Sequence, residues 1–322
     1  MSARLFPLGR DADALRAFFI VAGESTDTNN ALLAAAGSSF AQAALIRAEQ
    51  LQPLVTGRDL VLGRLDVCRS LDGIERGLIE LQEFEETRED VAVVNPAAAL
   101  FACHDKVATA VALQAAGVPH PQTACVDHPS QLAGMGPPVV VKPRLGSWGI
   151  DVFRCDTLFE LKRCFREISK RSWFQRQGAL VQELVPPTGS DLRVLVAGGA
   201  IVGAVVRKAR SGEWRTNVSL GATRHPVQTL APDAVRLALK AASAVGADLV
   251  GVDLLPLPGG GWVVLELNGA VDFTPDYSLN GSDVNTEVIS RLVVWASQTA
   301  RPPYARRRLV DSNSTSGEES SS

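Results

Sequence analysis

Asp253, Glu266 and Asn268 are the residues whose types and spacing bear most directly on chemistry. Glu266 and Asn268 lie two apart in the apolar run 262–268, so as strand residues they point to one face. The glycine-rich turn at 259–261 can bring Asp253 across from them. Two carboxylates and an amide oxygen on one sheet face suit Mg²⁺, or Mn²⁺, which takes carboxylates together with substrate phosphates. The alternative is a strand-end Asp253 and a Glu266 paired with a surface lysine. Both acids sit inside apolar runs, where an unpaired charge is costly, so something cationic is expected to face them.

Four cations come from separate segments: Lys106, Lys142, Arg207 and Arg215, with Asn217 beside the last. Singly each reads as a solvated surface charge; together they are the donors that a polyphosphate needs beside magnesium. Lys142 ends the β-branched run Val139-Val140-Val141 and is followed by Gly146-Ser147-Trp148-Gly149 and a second apolar run. A glycine loop can turn its N–H groups into a concavity for phosphate oxygens. The same stretch also reads as an ordinary hairpin with a flexible turn. It is not the nucleotide loop in which Lys-Ser or Lys-Thr precedes a helix, and no Ser-His-Asp or Cys-His arrangement offers a nucleophile.

The elements that must position these residues follow from the hydrophobic pattern. Residues 17–22, 59–64 and 91–94 read as strands alternating with helices from about Ala31 and over 72–86, a small parallel α/β unit. Ligands of such sheets lie beyond the strands' carboxyl ends, which marks the polar loop 24–30 and Arg64. Asn95-Pro96 makes a domain boundary. Beyond it the pattern gives a helix over 105–116 capped by Asp105, the strand pair around residues 146–149, an amphipathic helix over 157–169 and a strand over 179–185. A hairpin follows (191–196 and 201–208), then a helix over 232–244, strands over 248–255 and 262–268, and a last helix over 284–297. The stretch 301–322, first basic at Arg306-Arg307-Arg308 and then Ser/Glu-rich from Asp311, has almost nothing apolar to bury and reads as a disordered tail.

At 322 residues the chain suggests two or three packed units, and a net charge of −3 argues against nucleic-acid binding by bulk electrostatics. Five scattered cysteines without a Cys-x-x-Cys pair imply neither a disulfide framework nor a zinc site and fit reduced cytoplasm. No run reaches the roughly 18 apolar residues of a membrane helix.

In order and spacing, a set of motifs resembles the ATP-grasp carboxylate–amine ligases of the RimK-like group, which includes the ribosomal-protein glutamate ligase and LysX. They are Asp105-Lys106, Val141-Lys142-Pro143 with Gly146-Ser147-Trp148-Gly149, Gln182-Glu183, Asp191-Leu192-Arg193-Val194-Leu195-Val196, Arg215-Thr216-Asn217, Gly251-Val252-Asp253 and Glu266-Leu267-Asn268. The resemblance covers about residues 95–295. It implies a mixed α/β and α+β chain: an N-terminal parallel α/β domain (1–95), then an ATP-grasp domain (96–300) with a small central α+β lid subdomain (about 119–185) and a C-terminal α+β subdomain.

It further implies that Lys106 and Lys142 contact the phosphates of ATP under a lid formed by Gly146, Ser147, Trp148 and Gly149. Gln182, Glu183, Leu184 and Val185 would meet the adenine edge, and Asp191 the ribose or its surroundings. Arg207, Arg215 and Asn217 would face the transferred phosphate, and Asp253, Glu266 and Asn268 would hold Mg²⁺ or Mn²⁺. The implied reaction activates a carboxylate as an acyl phosphate and joins it to an amine, an amino acid such as glutamate, releasing ADP and phosphate.

The acceptor is a small carboxylate or amine, or a protein or peptide C-terminus; nucleic acid and membrane are not expected partners, and a homo-oligomer is compatible with the sequence. Where several relatives continue with a Ser-Pro-Gly type segment, this chain has Asn268-Gly269-Ala270-Val271-Asp272-Phe273. Asp272 there either meets a substrate amino group or caps a turn. Competing readings are an ATP-binding interaction module without turnover and a dipeptide ligase of specialised metabolism. The loop 146–149 is expected to be mobile without nucleotide and ordered with it.

Overall fold

The structure, a computed structural model, describes residues 15–132 and 134–299, so the expected tail at 301–322 lies outside the described residues. The apolar runs near the start form β1 (Ala17–Val21), β2 (Gln42–Ile46), β3 (Leu60–Gly63) and β4 (Ala92–Val94), a parallel sheet in the order β2-β1-β3-β4. Every residue of β1 is buried, as a parallel strand covered on both faces requires. The helices joining these strands are α1 (Asp27–Ala36), α2 (Leu51–Leu54) and α3 (Leu78–Thr87), followed by α4 (Ala97–His104).

Three sequence readings change here. The helix expected from about Ala31 starts at Asp27, because the Thr26 hydroxyl accepts from Asn29 N and caps it. Half of the anticipated polar loop 24–30 is therefore helix. The helix expected over 72–86 begins only at Leu78, after Gly77 at φ 115°; residues before it form a hairpin in which Val67 pairs with Ile74. The strand β2 and the helix α4 had no counterpart in the sequence reading.

Beyond α4 the chain enters α5 (Lys106–Ala115), then β5 (Thr123–Val126), β6 (Val139–Pro143), β7 (Phe153–Cys155), α6 (Leu158–Ile168), α7 (Ser172–Gln177) and β8 (Ala179–Glu183). The strands form an antiparallel sheet in the order β5-β8-β6-β7, backed by α6 and α7 through Leu161, Phe165, Ile168 and Trp173. A third sheet, β11-β10-β9-β12-β13, comprises β9 (Ser190–Ala197), β10 (Ala200–Lys208), β11 (Thr223–Pro226), β12 (Leu249–Pro256) and β13 (Trp262–Asn268), with α8 (Pro232–Val245) on one face.

Alternation decides what each face of the third sheet meets. Leu192, Val194 and Val196 of β9 join Val250, Val252 and Leu254 of β12 under α8, whereas Leu195, Ala197 and Leu249 face a core shared with β1, β3 and α9 (Val284–Thr299). The N-terminal and C-terminal units are thus one packed body.

Asn95, at the expected domain boundary, is fully buried. Its amide donates to the Leu249 and Gly269 carbonyls at 2.5 and 2.8 Å, and its oxygen accepts from Asp248 N and Leu249 N, both at 3.0 Å. Asparagine also tolerates its left-handed backbone, φ 51°. Asn95→Ala should cost about 3 kcal/mol in denaturant unfolding, because several buried backbone groups lose their partner at once. Asn95→Gly, free of backbone penalty, should fall almost as far; a loss confined to the alanine variant would assign the effect to backbone conformation instead.

Candidate active site

The second and third sheets face each other across a cleft of about 120 Å³. One wall is Val140 and Lys142 of β6 with Gln182 and Glu183 of β8; the other is Leu255 of β12 with Leu265 and Glu266 of β13. Residues 146–150, 184–190 and 214–217 close its ends, and Lys106 stands between the walls.

Each lysine is set by a local device. Asp105 caps α5, accepting from Val107 N at 2.9 Å and Ala108 N at 3.2 Å, and it also receives Arg144 Nη2 at 2.6 Å. Lys106 is thereby held in the first turn, its Nζ 2.5 Å from the Gly146 carbonyl and 3.9 Å from Glu266. Lys142 is 6% exposed and donates to Gln182 Oε1 at 2.9 Å; Gln182 in turn donates to Thr123 at 3.0 Å. Burial lowers the Lys142 pKa to about 8, against the pull of Glu266.

The glycine loop is docked over the cleft. Arg215 donates to the Gly149 carbonyl at 3.0 Å, Ser219 to the Trp148 carbonyl at 2.7 Å, and Arg215 is aimed by Glu213 at 2.8 and 3.0 Å. A Cβ on Gly149 would lie 2.8 Å from the Asn217 amide oxygen, and the residue's φ is 72°, so only glycine fits there.

The face of the third sheet that carries Glu266 also carries a row of charges on β12, β9 and β10. Register pairs Arg207 with Asp191, Arg193 with Asp253, and Asp253 with Glu266. Arg193 binds Asp253 through two hydrogen bonds at 2.6 and 2.7 Å, and Arg207 reaches the same carboxylate at 2.7 Å while also gripping Asp191. Thr216 donates to Asp191 at 2.6 Å. Burial alone would raise the Asp253 pKa, but the two guanidinium groups hold it at about 2.

The structure therefore brings Lys106, Lys142, Gly146, Ser147, Trp148, Gly149, Gln182, Glu183, Leu184, Val185, Arg215, Asn217 and Glu266 to the cleft surface. Asp191, Arg207, Asp253 and Asn268 do not line the cleft surface. Asp191, Arg207 and Asp253 are 2%, 4% and 1% exposed and are engaged with one another, because a buried charge needs an opposite charge against it. The Glu183 and Leu184 amides are engaged with the Gln122 and Pro138 carbonyls. Sequence reasoning passed over Arg193 and Arg144. Arg193 was visible as the residue two after Asp191, hence on its face; Arg144 carried no local signal. Asp272 accepts from Arg64 at 3.1 Å and Thr26 at 3.3 Å, so it ties the 269–273 segment to the first sheet.

The expected donor set fits a hard divalent cation. Asp253 and Glu266 are direct cross-strand neighbours, and Asn268, opposite Gly251, shares their face. Asn268 Nδ2 is buried without a partner, so a half-turn of that amide presents its oxygen and sacrifices no bond. Asp253 keeps acceptor capacity beside its arginines, since a carboxylate accepts at about four sites.

A RimK-like ATP-grasp domain is matched over residues 103–292. A probable alpha-L-glutamate ligase of Thioalkalivibrio sulfidiphilus is 32% identical over 260 residues, covering 79% of this chain and 81% of that protein. The alpha-aminoadipate–LysW ligase LysX of Sulfolobus acidocaldarius is 33% identical over 213 residues, 63% of this chain and 74% of that one. Among solved structures, the ATP-grasp ligase PsnB complexed with a minimal precursor aligns with TM-score 0.61 at 16% identity, over 87% of this chain and 99% of its own. The D-alanine–D-alanine ligase of Bacillus anthracis complexed with ATP aligns with TM-score 0.61 at 16% identity, over 89% and 97%. These two show the fold, and the sequence matches show the kinship. A cleft walled by lysines and an acidic strand pair, found in a chain with these relatives, has one home: the protein belongs to the RimK-like ATP-grasp family and is an ATP-dependent carboxylate–amine ligase.

Proposed function

We propose that this ligase joins the amino group of an amino acid, glutamate in the first instance, to a carboxylate that it activates with ATP. The observation that carries the reading is the opposition of Lys106 and Lys142 to Glu266 across one cleft, with Lys106 Nζ 3.9 Å from the Glu266 carboxylate. Lysines there neutralise phosphates, and the acidic strands behind them keep a divalent ion. The glutamate assignment is supported by the alpha-L-glutamate ligase named among the relatives. The acceptor carboxylate belongs to a small molecule or to a peptide or protein, a class supported by relatives named for LysW and for a precursor peptide.

In this reading a carboxylate oxygen of the substrate attacks the γ-phosphorus, the bond to ADP breaks, and an acyl phosphate forms. The amine then attacks the acyl carbon; the C–N bond forms, the C–O bond to phosphate breaks, and the amine loses a proton. Lys106, Lys142 and the amides of residues 146–149 bind phosphates, the segment 182–185 borders the adenine, and Arg215 with Asn217 meets the transferred group. Asp253, Glu266 and Asn268 would hold Mg²⁺, which when bound would supply charge neutralisation at the phosphate oxygens. Asp191 and Arg207 act through Asp253, keeping it ionised and fixed. Five unpaired cysteines accord with a cytoplasmic enzyme.

Asp253→Asn or Glu266→Gln should cut amine-dependent ADP release by about 10²-fold or more, with the circular dichroism of the fold retained. Unaltered turnover would remove both from the metal site. Testing glutamate against other amino acids, with mass spectrometry of the products, decides the amine. The pH dependence has a definite sign: Lys142 loses its proton as pH rises through about 8, so ATP affinity should fall over that range. Lys142→Arg should flatten the profile, and a profile identical in both proteins would assign the titration elsewhere.

A further inference from the structure

The hairpin at residues 66–75, absent from the sequence reading, belongs to the N-terminal unit at its root and to the lid at its tip. At the root, Val67 pairs with Ile74, Glu75 N donates to the Asp66 carbonyl at 2.8 Å, and Cys68 N donates to the Gly73 carbonyl at 2.8 Å. The Glu75 carboxylate accepts from Gly23 N and Asp66 N, both at 3.1 Å, which ties the root to the end of β1.

At the tip, Leu71 is 3% exposed and sits in the lid core with Val139, Leu161 and Trp173; every other buried member of that cluster comes from residues 126–181. Asp72 pairs with Arg176 of α7 at 2.7 Å. The Arg69 guanidinium lies 4.6 Å over the ring of Trp148, a residue of the glycine loop that lines the cleft. Leu71 has φ 61° and Trp148 φ 59°, conformations that side chains of this bulk adopt only where the surroundings impose them. Among the described residues, none of the first 105 lines the cleft, yet this hairpin reaches the lid above it at three points.

We propose that the 66–75 hairpin is a latch through which the N-terminal unit positions the lid over the nucleotide cleft. Leu71, Asp72 and Arg69 are then positioning residues, acting on nucleotide through the lid and not by contact. The two ends of the hairpin differ in what they grip. The root is hydrogen-bonded to Gly23, just beyond β1, while the tip inserts an apolar plug into another unit's core, so the lid is held against a fixed frame. Unlatching lowers the fraction of molecules whose lid is in place, and apparent nucleotide affinity falls in proportion. The kinetic half of the proposal rests on the cleft being the nucleotide site; the structural half does not.

The test uses Leu71→Ala, Asp72→Arg, Arg176→Asp and the exchanged pair Asp72→Arg/Arg176→Asp in the full chain. Hydrogen exchange of residues 139–155 in the nucleotide-free protein should quicken in each single variant and return towards the parent rate in the exchanged pair. In parallel, if the latched fraction drops to about a tenth, KM for ATP should rise about tenfold while kcat at saturating ATP is retained. Arg176 is exposed, so its variant folds even if Leu71→Ala does not. Exchange unchanged in Arg176→Asp, or an exchanged pair no better than the singles, would overturn the latch. Should the cleft take a ligand other than ATP, the exchange measurement still decides.

Discussion

Asp253 keeps a full negative charge at 1% exposure because two arginines from two neighbouring strands close on it. Much of the site follows from that arrangement. The carboxylate lies on the sheet face that further along carries Leu195, Ala197 and Leu249, away from water, so it exists as an anion only with Arg193 and Arg207 in place. Arg207 in turn needs Asp191, and Asp191 takes Thr216 as well, which links β10 to the loop that carries Arg215 and Asn217. Buried ion pairs of this kind add little net stability against an apolar alternative. Their effect is to fix geometry, because losing any one partner leaves an uncompensated charge.

The opposite wall works by the reverse sign. Lys142 pays for its burial with a lowered pKa, and Lys106 is aimed by the cap that Asp105 forms with Arg144. Lys142 on one wall, Glu266 on the other and Lys106 between them, with Val140 and Leu265 as apolar surface on the two walls, give a cleft suited to a group that is itself highly charged and partly apolar. The glycine loop at its edge accepts hydrogen bonds from Arg215 and Ser219, and Leu71 of the N-terminal unit packs into the core of the second sheet.

Much of the fold could be read from periodicity, and the misses have physical causes. The hairpin β9–β10 and the pair β12–β13 stood out because their apolar runs are bounded by glycine turns. β2 did not, because it is an edge strand whose first residue is exposed and next three only half-buried, leaving no clear pattern. α4 is apolar all round and packs between units, so it lacks the helical stripe that marked 157–169. The polar stretch 72–77 looked like the first turns of α3, yet its side chains serve the hairpin to the lid.

Local chemistry was written in the chain: an i, i+2 spacing fixes that Glu266 and Asn268 share a face, a cap fixes where Lys106 begins its helix, and glycines fix where the loop can turn. These depend on a few neighbouring residues. Which charges meet was not written there. Asp253 meets Arg193 and Arg207 because β9 lies between β10 and β12, and because a bulge after Asp253 resets its register against Glu266. Alternation assigns a face but not a neighbour, and the neighbour decides whether an arginine lies open to the cleft, as Arg215 does, or, like Arg207, holds a buried acid.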